Sequence, residues 1–530
     1  MSPSSQTPSP VTASRFQLFA IAALALAVGA ADAPAQTFRS DDPVIRSMWD
    51  VGMANSQTET LAQILMDSIG PRLAGSPELT AAMDWLVRVY EGWGVTVRKE
   101  QYGTWTAWRQ GYLHIDLVAP RTQTLETEIL AWSPGTAGPV EGEVVVPPAG
   151  LNAVTVGQWL GTLDGKYVLA MPPEPTCRAP HELEENARPE TVARLDSLRR
   201  ATRIEFDRRV LSLGGNRGPQ LIEQAGAAGI LTSRWSGGWG VNKVFSSWTR
   251  QIPSLDLSCE DYGMLFRMAE AGQHPRIRVD SNAEILGEVP QFNVIAELRG
   301  VELPDEYIIL SAHLDSWHAG TGATDNGTGT ITMLEAMRIL KETYPNPRRT
   351  ILVGHWGVEE RGLIGSRAFT EDHADILEDI QAVFNQDNGT WRVERIEGQG
   401  FLYAGQHIAR WMSFVPSEIS EHITLEFPGG QNNTGSDHVA FVCHDVPAFR
   451  LQSPYREYRQ YTWHTNRDTY DKIVFDDLKE NATLAAMLAY AASEDPERVP
   501  RDRSILPIDP RTGQPRQWVQ CGRARRSAGQ

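Results

Sequence analysis

The stretch Ile308-Ile309-Leu310-Ser311-Ala312-His313-Leu314-Asp315 decides how the chain folds. A short apolar run, too brief for a buried helix, ends on a histidine with an acid two residues beyond. This reads as a central strand that delivers polar groups at its carboxyl end. Ligands of open α/β sheets bind at that edge. Further strands are expected at 350–354 and 382–384, alternating with helices, so the second half of the chain predicts a largely parallel sheet. The segment 61–90 shows helical periodicity, broken once by Ile69-Gly70-Pro71-Arg72. A short strand is expected at 95–101.

Outward from that strand, acids and imidazoles recur at element ends. Twelve residues after His313 comes Asp325, in Asp325-Asn326-Gly327-Thr328-Gly329. That glycine-rich loop opens an amphipathic helix carrying Ile331, Leu334, Met337 and Leu340. The next strand runs out into Val358-Glu359-Glu360-Arg361-Gly362, and the one after it into Asn385-Gln386-Asp387-Asn388-Gly389. Far downstream, Trp463-His464-Thr465-Asn466 offers a second imidazole. Each piece alone has an ordinary reading: a turn, a solvated acid pair, a cap or a core histidine. Their ordered convergence on one sheet edge predicts a site for two divalent ions, each needing about three nitrogen or oxygen ligands and an open position. Asp325 is assigned as the bridging carboxylate. His313 and Asp387 complete one metal, and Glu360 and His464 the other. Glu359 is the expected general base, and Asp315 the expected partner of the second His313 nitrogen. His438, in Ser436-Asp437-His438, is a candidate substrate contact. Tyr455 and Arg456 are candidates for holding a substrate carboxylate.

The 530 residues are 41% hydrophobic and 22% charged, an ordinary globular composition. The net charge of −17 argues against nucleic acid or an anionic membrane as partner. Residues 1–35 read as a signal peptide. Arg15 precedes an apolar run at 16–28, and Ala33-Pro34-Ala35 gives a small-x-small cleavage signal before Gln36. Export to the periplasm or outside the cell follows. Cys177, Cys259, Cys443 and Cys521 lack the paired spacing of a zinc site, and the sequence does not assign disulfides among them. The texture changes at about 121–285, rich in Gly, Pro and short apolar runs, with strands expected at 166–170 and 229–231. From 501 to 530 the chain reads as a loose Pro- and Arg-rich tail. Oligomeric state stays open, a homo-oligomer included.

At these motifs the sequence resembles the zinc aminopeptidase and glutamate carboxypeptidase family of co-catalytic metallopeptidases. Matching pieces are His313-Leu314-Asp315-Ser316-Trp317, Asp325-Asn326-Gly327-Thr328-Gly329, Glu359-Glu360, Asp387-Asn388-Gly389, Ser436-Asp437-His438, His464 and the early stretch from Ile69 to Ser76. The resemblance implies a phosphorylase/hydrolase-like α/β sandwich with a central mixed, mostly parallel sheet. It also implies two Zn2+ ions and hydrolysis of terminal bonds in short peptides. Residues 36–120 and 286–500 would form the peptidase domain. Residues 121–285, through Leu163-Asp164-Gly165-Lys166 and Ala225-Gly226-Ala227-Ala228-Gly229, would form a protease-associated insertion roofing the site. Many relatives carry acids where His318 and Asn326 stand. The family includes carboxypeptidase, dipeptidase and aminopeptidase modes, and relatives that bind without catalysis. Manganese or cobalt also suits carboxylate-rich sites.

Overall fold

Strand Leu303–His313 is buried from Ile308 onward, and every residue of the neighbouring strands Arg349–Trp356 and Ile380–Asn385 is buried. A strand hidden on both sides needs cover on both faces of its sheet. The structure, a computed structural model, describes residues 40–388, 390–431 and 435–529. The signal-peptide reading of residues 1–35 lies outside the described residues, as does Gly389.

These three strands form the middle of an eight-stranded sheet. From one edge its order is Thr96–Arg109, Glu284–Leu298, Arg349–Trp356, Leu303–His313, Ile380–Asn385, Ala448–Gln452, Arg395–Glu397 and Thr424–Glu426. The central pairings are parallel, and the long strand Glu284–Leu298 is antiparallel to both its neighbours. The sheet is therefore mixed. Helices Thr328–Thr343 and Phe475–Glu494 pack on each other and on the central strands. The alanines of the second helix, among them Ala482, Ala485, Ala486 and Ala489, are buried and permit close approach. Helix Pro77–Gly92 buries Leu79, Ala82, Met83, Leu86 and Tyr90 at helical spacing, and the Ser76 hydroxyl caps it by accepting from the Leu79 N–H at 3.1 Å.

A second eight-stranded sheet is built from residues 113–281. Strand Leu113–Ala119 belongs to it, pairing with Arg276–Ser281, so the change of sheet falls before the expected position at 121. The reason is the pairing itself: Trp108 and Arg109 stand opposite Ile285 and Glu284 in the first sheet, and Leu113 opposite Ser281 in the second. Two apolar clusters fill this part, one around Tyr167, Leu255 and Ile277 and one around Leu163, Val168 and Ile230. Helix Pro189–Ser212 is charged and largely exposed, and Cys177–Cys259 ties the loop before helix Pro180–Asn186 to helix Cys259–Glu270.

The C-terminal segment differs from the expected loose tail. It is irregular but pinned. Cys443 is disulfide-bonded to Cys521. The Arg526 guanidinium pairs with Glu371 at 2.9 Å and Asp372 at 2.7 Å, and its carbonyl accepts from the Thr104 N–H at 2.9 Å. A Cβ at Gly103 would collide with that carbonyl, which is why the strand edge carries glycine there. Reduction of the disulfide should speed amide exchange in residues 521–529 and at Thr104. Unchanged protection would show that the ion pairs suffice.

His355 lies inside strand Arg349–Trp356, fully buried, with its Nε2 2.7 Å from the Tyr90 hydroxyl. Burial lowers it to about 3, and burial lowers His318 to about 4. Both are neutral in the fold, against an ordinary value of about 6.5 in the unfolded chain. Their contribution is present above pH 6.5 and is lost as pH falls toward the folded values. Chemical denaturation should show stability dropping by on the order of 1 kcal/mol per histidine per pH unit in that window. Side-chain NMR with either ring titrating near 6.5 in the folded protein would refute this.

Candidate metal centre

Three strand ends and one kinked turn bring the acidic and imidazole groups together. His313 ends its strand, Asp387 follows strand Ile380–Asn385, and Glu359 and Glu360 open a 3-10 turn after strand Arg349–Trp356. Asp325 sits in the kinked turn that leads into helix Thr328–Thr343. Val358 is driven to a φ of +59°, costly for a β-branched residue, and this turns both glutamates toward the strand ends.

The Asp325 carboxylate lies between the two histidines. Its Oδ1 is 3.5 Å from His313 Nε2 and its Oδ2 is 3.3 Å from His464 Nε2. His313 Nε2 is also 3.4 Å from Asp387 Oδ1 and 4.0 Å from Glu359 Oε2. His464 Nε2 is 2.8 Å from Glu360 Oε2. Two sets of potential metal ligands result, His313–Asp325–Asp387 and Asp325–Glu360–His464, sharing Asp325. Inside them His313 Nε2, Asp325 Oδ2 and Glu360 Oε1 are buried without a hydrogen-bond partner. Buried polar atoms left unpaired each cost about 1–3 kcal/mol, so a donor set of this kind fits cations between the side chains.

The electrostatics agree. Burial would lower the His313 imidazole, but Glu359 and Asp387 push it well above its ordinary value. Burial lowers His464 too, and Glu360 and Asp325 overcome this and lift it to about 9. Burial works to raise Asp325, yet the two imidazoles hold it well below the usual carboxylate range. Glu360 is raised by burial to about 7 against the pull of His464. Burial, with Asp437 and Asp387 adding to it, places Glu359 well above an ordinary glutamate despite the opposing pull of His313.

Asp315 differs from its expected role. The other nitrogen of His313, Nδ1, is bonded by the Asp315 backbone carbonyl at 3.0 Å, with the carboxylate 3.8 Å away. A carbonyl only accepts, so Nδ1 carries the hydrogen and Nε2 presents its lone pair to the cluster. The Asp315 carboxylate instead accepts the N–H groups of Glu359 at 2.9 Å and Glu360 at 3.2 Å. The carboxylate is thus engaged by the turn amides and not by the imidazole. Asp315→Ala should lower kcat by at least tenfold and cost about 1–3 kcal/mol of stability, since two turn N–H groups lose their acceptor. A loss of kcat below threefold would mean the turn holds itself.

Several further groups support the cluster. Asp468, four residues past His464, accepts the N–H groups of Thr324 at 2.7 Å and Asp325 at 3.0 Å. Trp317 donates its indole N–H to Glu360 Oε2 at 2.8 Å. Arg72 is fully buried and donates to the carbonyls of Leu314, Gly70, Thr321 and Gly322 at 2.7–3.0 Å, tying the early Ile69–Ser76 stretch to the cluster loops. Asp437 is buried beside the cluster, bonded to Ser366. Asn326 suits its place as an amide: it donates to the Gln386 carbonyl at 3.0 Å and accepts from the Gly329 N–H at 3.1 Å.

The candidate substrate contacts separate. Tyr455 stays near the cluster, its hydroxyl accepting from Arg450, whose guanidinium also donates to the Asp387 carbonyl at 3.3 Å. Arg456 is exposed and lines another hollow with Trp391, Arg392 and His422. His438 has no exposed surface, which does not suit a residue lining an open cleft.

The second sheet reaches this centre. The Val244 N–H donates to the His464 carbonyl at 2.8 Å, and Asn242 and Asn466 exchange hydrogen bonds. The Phe245 ring stands edge-on to Trp317 and His464, at 5.4 and 5.3 Å between centres, and Trp463 stacks on His464 at 3.8 Å.

Comparison with known proteins agrees with this geometry. Residues 293–489 match Peptidase family M28. The chain is 26% identical over 507 residues to carboxypeptidase Q of Mus musculus, covering 92% of this chain and 99% of that protein. A Peptidase M28 precursor from Shewanella amazonensis SB2B superposes with a TM-score of 0.62 at 24% identity, over 86% of this chain and 97% of that one. A zinc aminopeptidase from Bacillus subtilis shares the fold with a TM-score of 0.52 at 17% identity, over 84% and 96%. The matched segment holds every residue of the cluster, and over that segment the chain is similar to Peptidase family M28.

Proposed function

We propose that this chain is an exported exopeptidase that uses two divalent ions, zinc by default, to cleave terminal bonds of short peptides in the carboxypeptidase or dipeptidase manner. The observation that carries this reading is the Asp325 carboxylate, with one oxygen toward each histidine. His313, Asp325 and Asp387 would hold one ion, and Asp325, Glu360 and His464 the other. Ions bound there supply Lewis acidity and lower the pKa of water toward about 7. Glu359 belongs to neither triad and lies within 4.0 Å of His313, the place of a general base. Its carboxylate takes the proton of the attacking water and passes it to the leaving amine. Asp315 keeps the Glu359 backbone in register for both transfers, and the His313 tautomer is fixed by the Asp315 carbonyl.

The second sheet supports a roof over the site, because residues 242–246 touch the His464 loop directly. Such a roof restricts access to short chains. Two disulfides fit an oxidising compartment, and no helix of the described residues is long and apolar enough to cross a membrane. The aminopeptidase reading remains the alternative, since the Bacillus subtilis structure bears that name.

The test pairs metal analysis with hydrolysis of a free dipeptide, its N-acetyl form and its C-terminal amide. Two ions per chain are expected, with activity lost on amidation. Loss only on acetylation would make the chain an aminopeptidase, and no metal with no turnover would overturn the enzyme mechanism. Glu359→Gln should lower kcat by at least a thousandfold while both ions stay bound. Loss of an ion would make Glu359 a ligand instead.

A further inference from the structure

The wall beside His464 carries two cations, Lys243 and Arg459, on one aromatic ring. Lys243 reaches across from the second sheet, its Nζ 4.0 Å from the centre of the Trp463 ring. One of its hydrogens goes to the Arg459 carbonyl at 2.8 Å. The Arg459 guanidinium lies 5.4 Å from the same Trp463 ring and 5.2 Å from Tyr455. Arg459 and Lys243 repel each other, and Lys243 also feels the Asp325 carboxylate of the metal cluster. Neither cation forms a salt bridge with an acidic side chain among the described residues. This stands out in a chain of net charge −17. Two cations held on one indole, with donors beyond the one that Lys243 gives to the Arg459 carbonyl, are the partners a carboxylate needs. Trp463 is stacked on His464, so the anion would sit one ring from the proposed second metal.

We propose that Lys243 and Arg459 bind the free α-carboxylate of the peptide's C-terminal residue. This rests on the exopeptidase reading above and gives it a direction. A positive wall attracts a carboxylate and repels the ammonium group an aminopeptidase must seat. Lys243 comes from the second sheet, so that part of the chain contributes specificity as well as cover. Tyr455 and Trp463 hold the Arg459 guanidinium in place.

The experiment compares kcat/KM for an N-acylated dipeptide and its C-terminal amide in the unaltered chain, Lys243→Met, Arg459→Met and the charge-keeping Lys243→Arg. The unaltered chain should prefer the free acid. Each Met variant should reduce that preference at least tenfold, chiefly through KM, and Lys243→Arg should keep more of it than Lys243→Met, since the charge that holds a carboxylate is kept. Preference unchanged in both Met variants would overturn the assignment while leaving the exopeptidase reading intact. Equal cleavage of acid and amide by the unaltered chain, abolished by Glu359→Gln, would overturn carboxylate recognition altogether. If neither N-acylated substrate is cleaved, the free dipeptide and its amide take their place with the same expectations, and no cleavage of the free dipeptide by the unaltered chain would remove the exopeptidase reading and the proposal with it.

Discussion

Everything at this sheet edge depends on how one carboxylate is held between two imidazoles. Asp325 faces His313 with one oxygen and His464 with the other, inside a ring of further acids. Left to itself, such a gathering of negative charge would be driven apart or protonated. It is retained because the backbone around it is fixed by groups with no other purpose. Asp468 takes two N–H groups of the Asp325 turn, Asp315 takes two from the Glu359 turn, and Arg72 takes four carbonyls beneath them. The cluster is therefore pre-formed, with its repulsion balanced by whatever cations occupy it.

This division of labour shows what can be read from the sequence. Groups at element ends were legible, because a strand that stops at His313 or before Asp387 has a visible apolar run behind it. The central strands were legible for the same reason. The partners of those groups were not. The Asp315 carboxylate and carbonyl lie on one residue, and nothing in the sequence says which of them meets the imidazole. Asp468 looks like any acid in a polar loop. Arg456 and Tyr455 are adjacent in sequence and diverge in space.

The edges of the fold were the hardest to foresee. Strand Ala448–Gln452 and the short strands at 395–397 and 424–426 extend the sheet with few residues each, and their pairing is set by long-range register rather than by local pattern. The terminal strap at 521–529 has no regular structure at all, and its hold comes from a disulfide and an arginine that the local sequence cannot connect to strand Thr96–Arg109. Tertiary contacts of this kind override composition, which favoured a loose end.

The two long antiparallel strands Thr96–Arg109 and Glu284–Leu298 have a consequence for the architecture as a whole. Their pairing runs on, after a short break, into the pairing of Leu113–Ala119 with Arg276–Ser281. One double-railed arm thus leaves the first sheet and enters the second, carrying the chain out and back side by side. Between 119 and 276 the chain builds the rest of the second sheet, and strand Val140–Val145 pairs directly with the returning rail. The arm is thus one attachment of the second sheet's segment to the first, and the contact of residues 242–246 with the His464 loop is another, so the site is closed between two anchors.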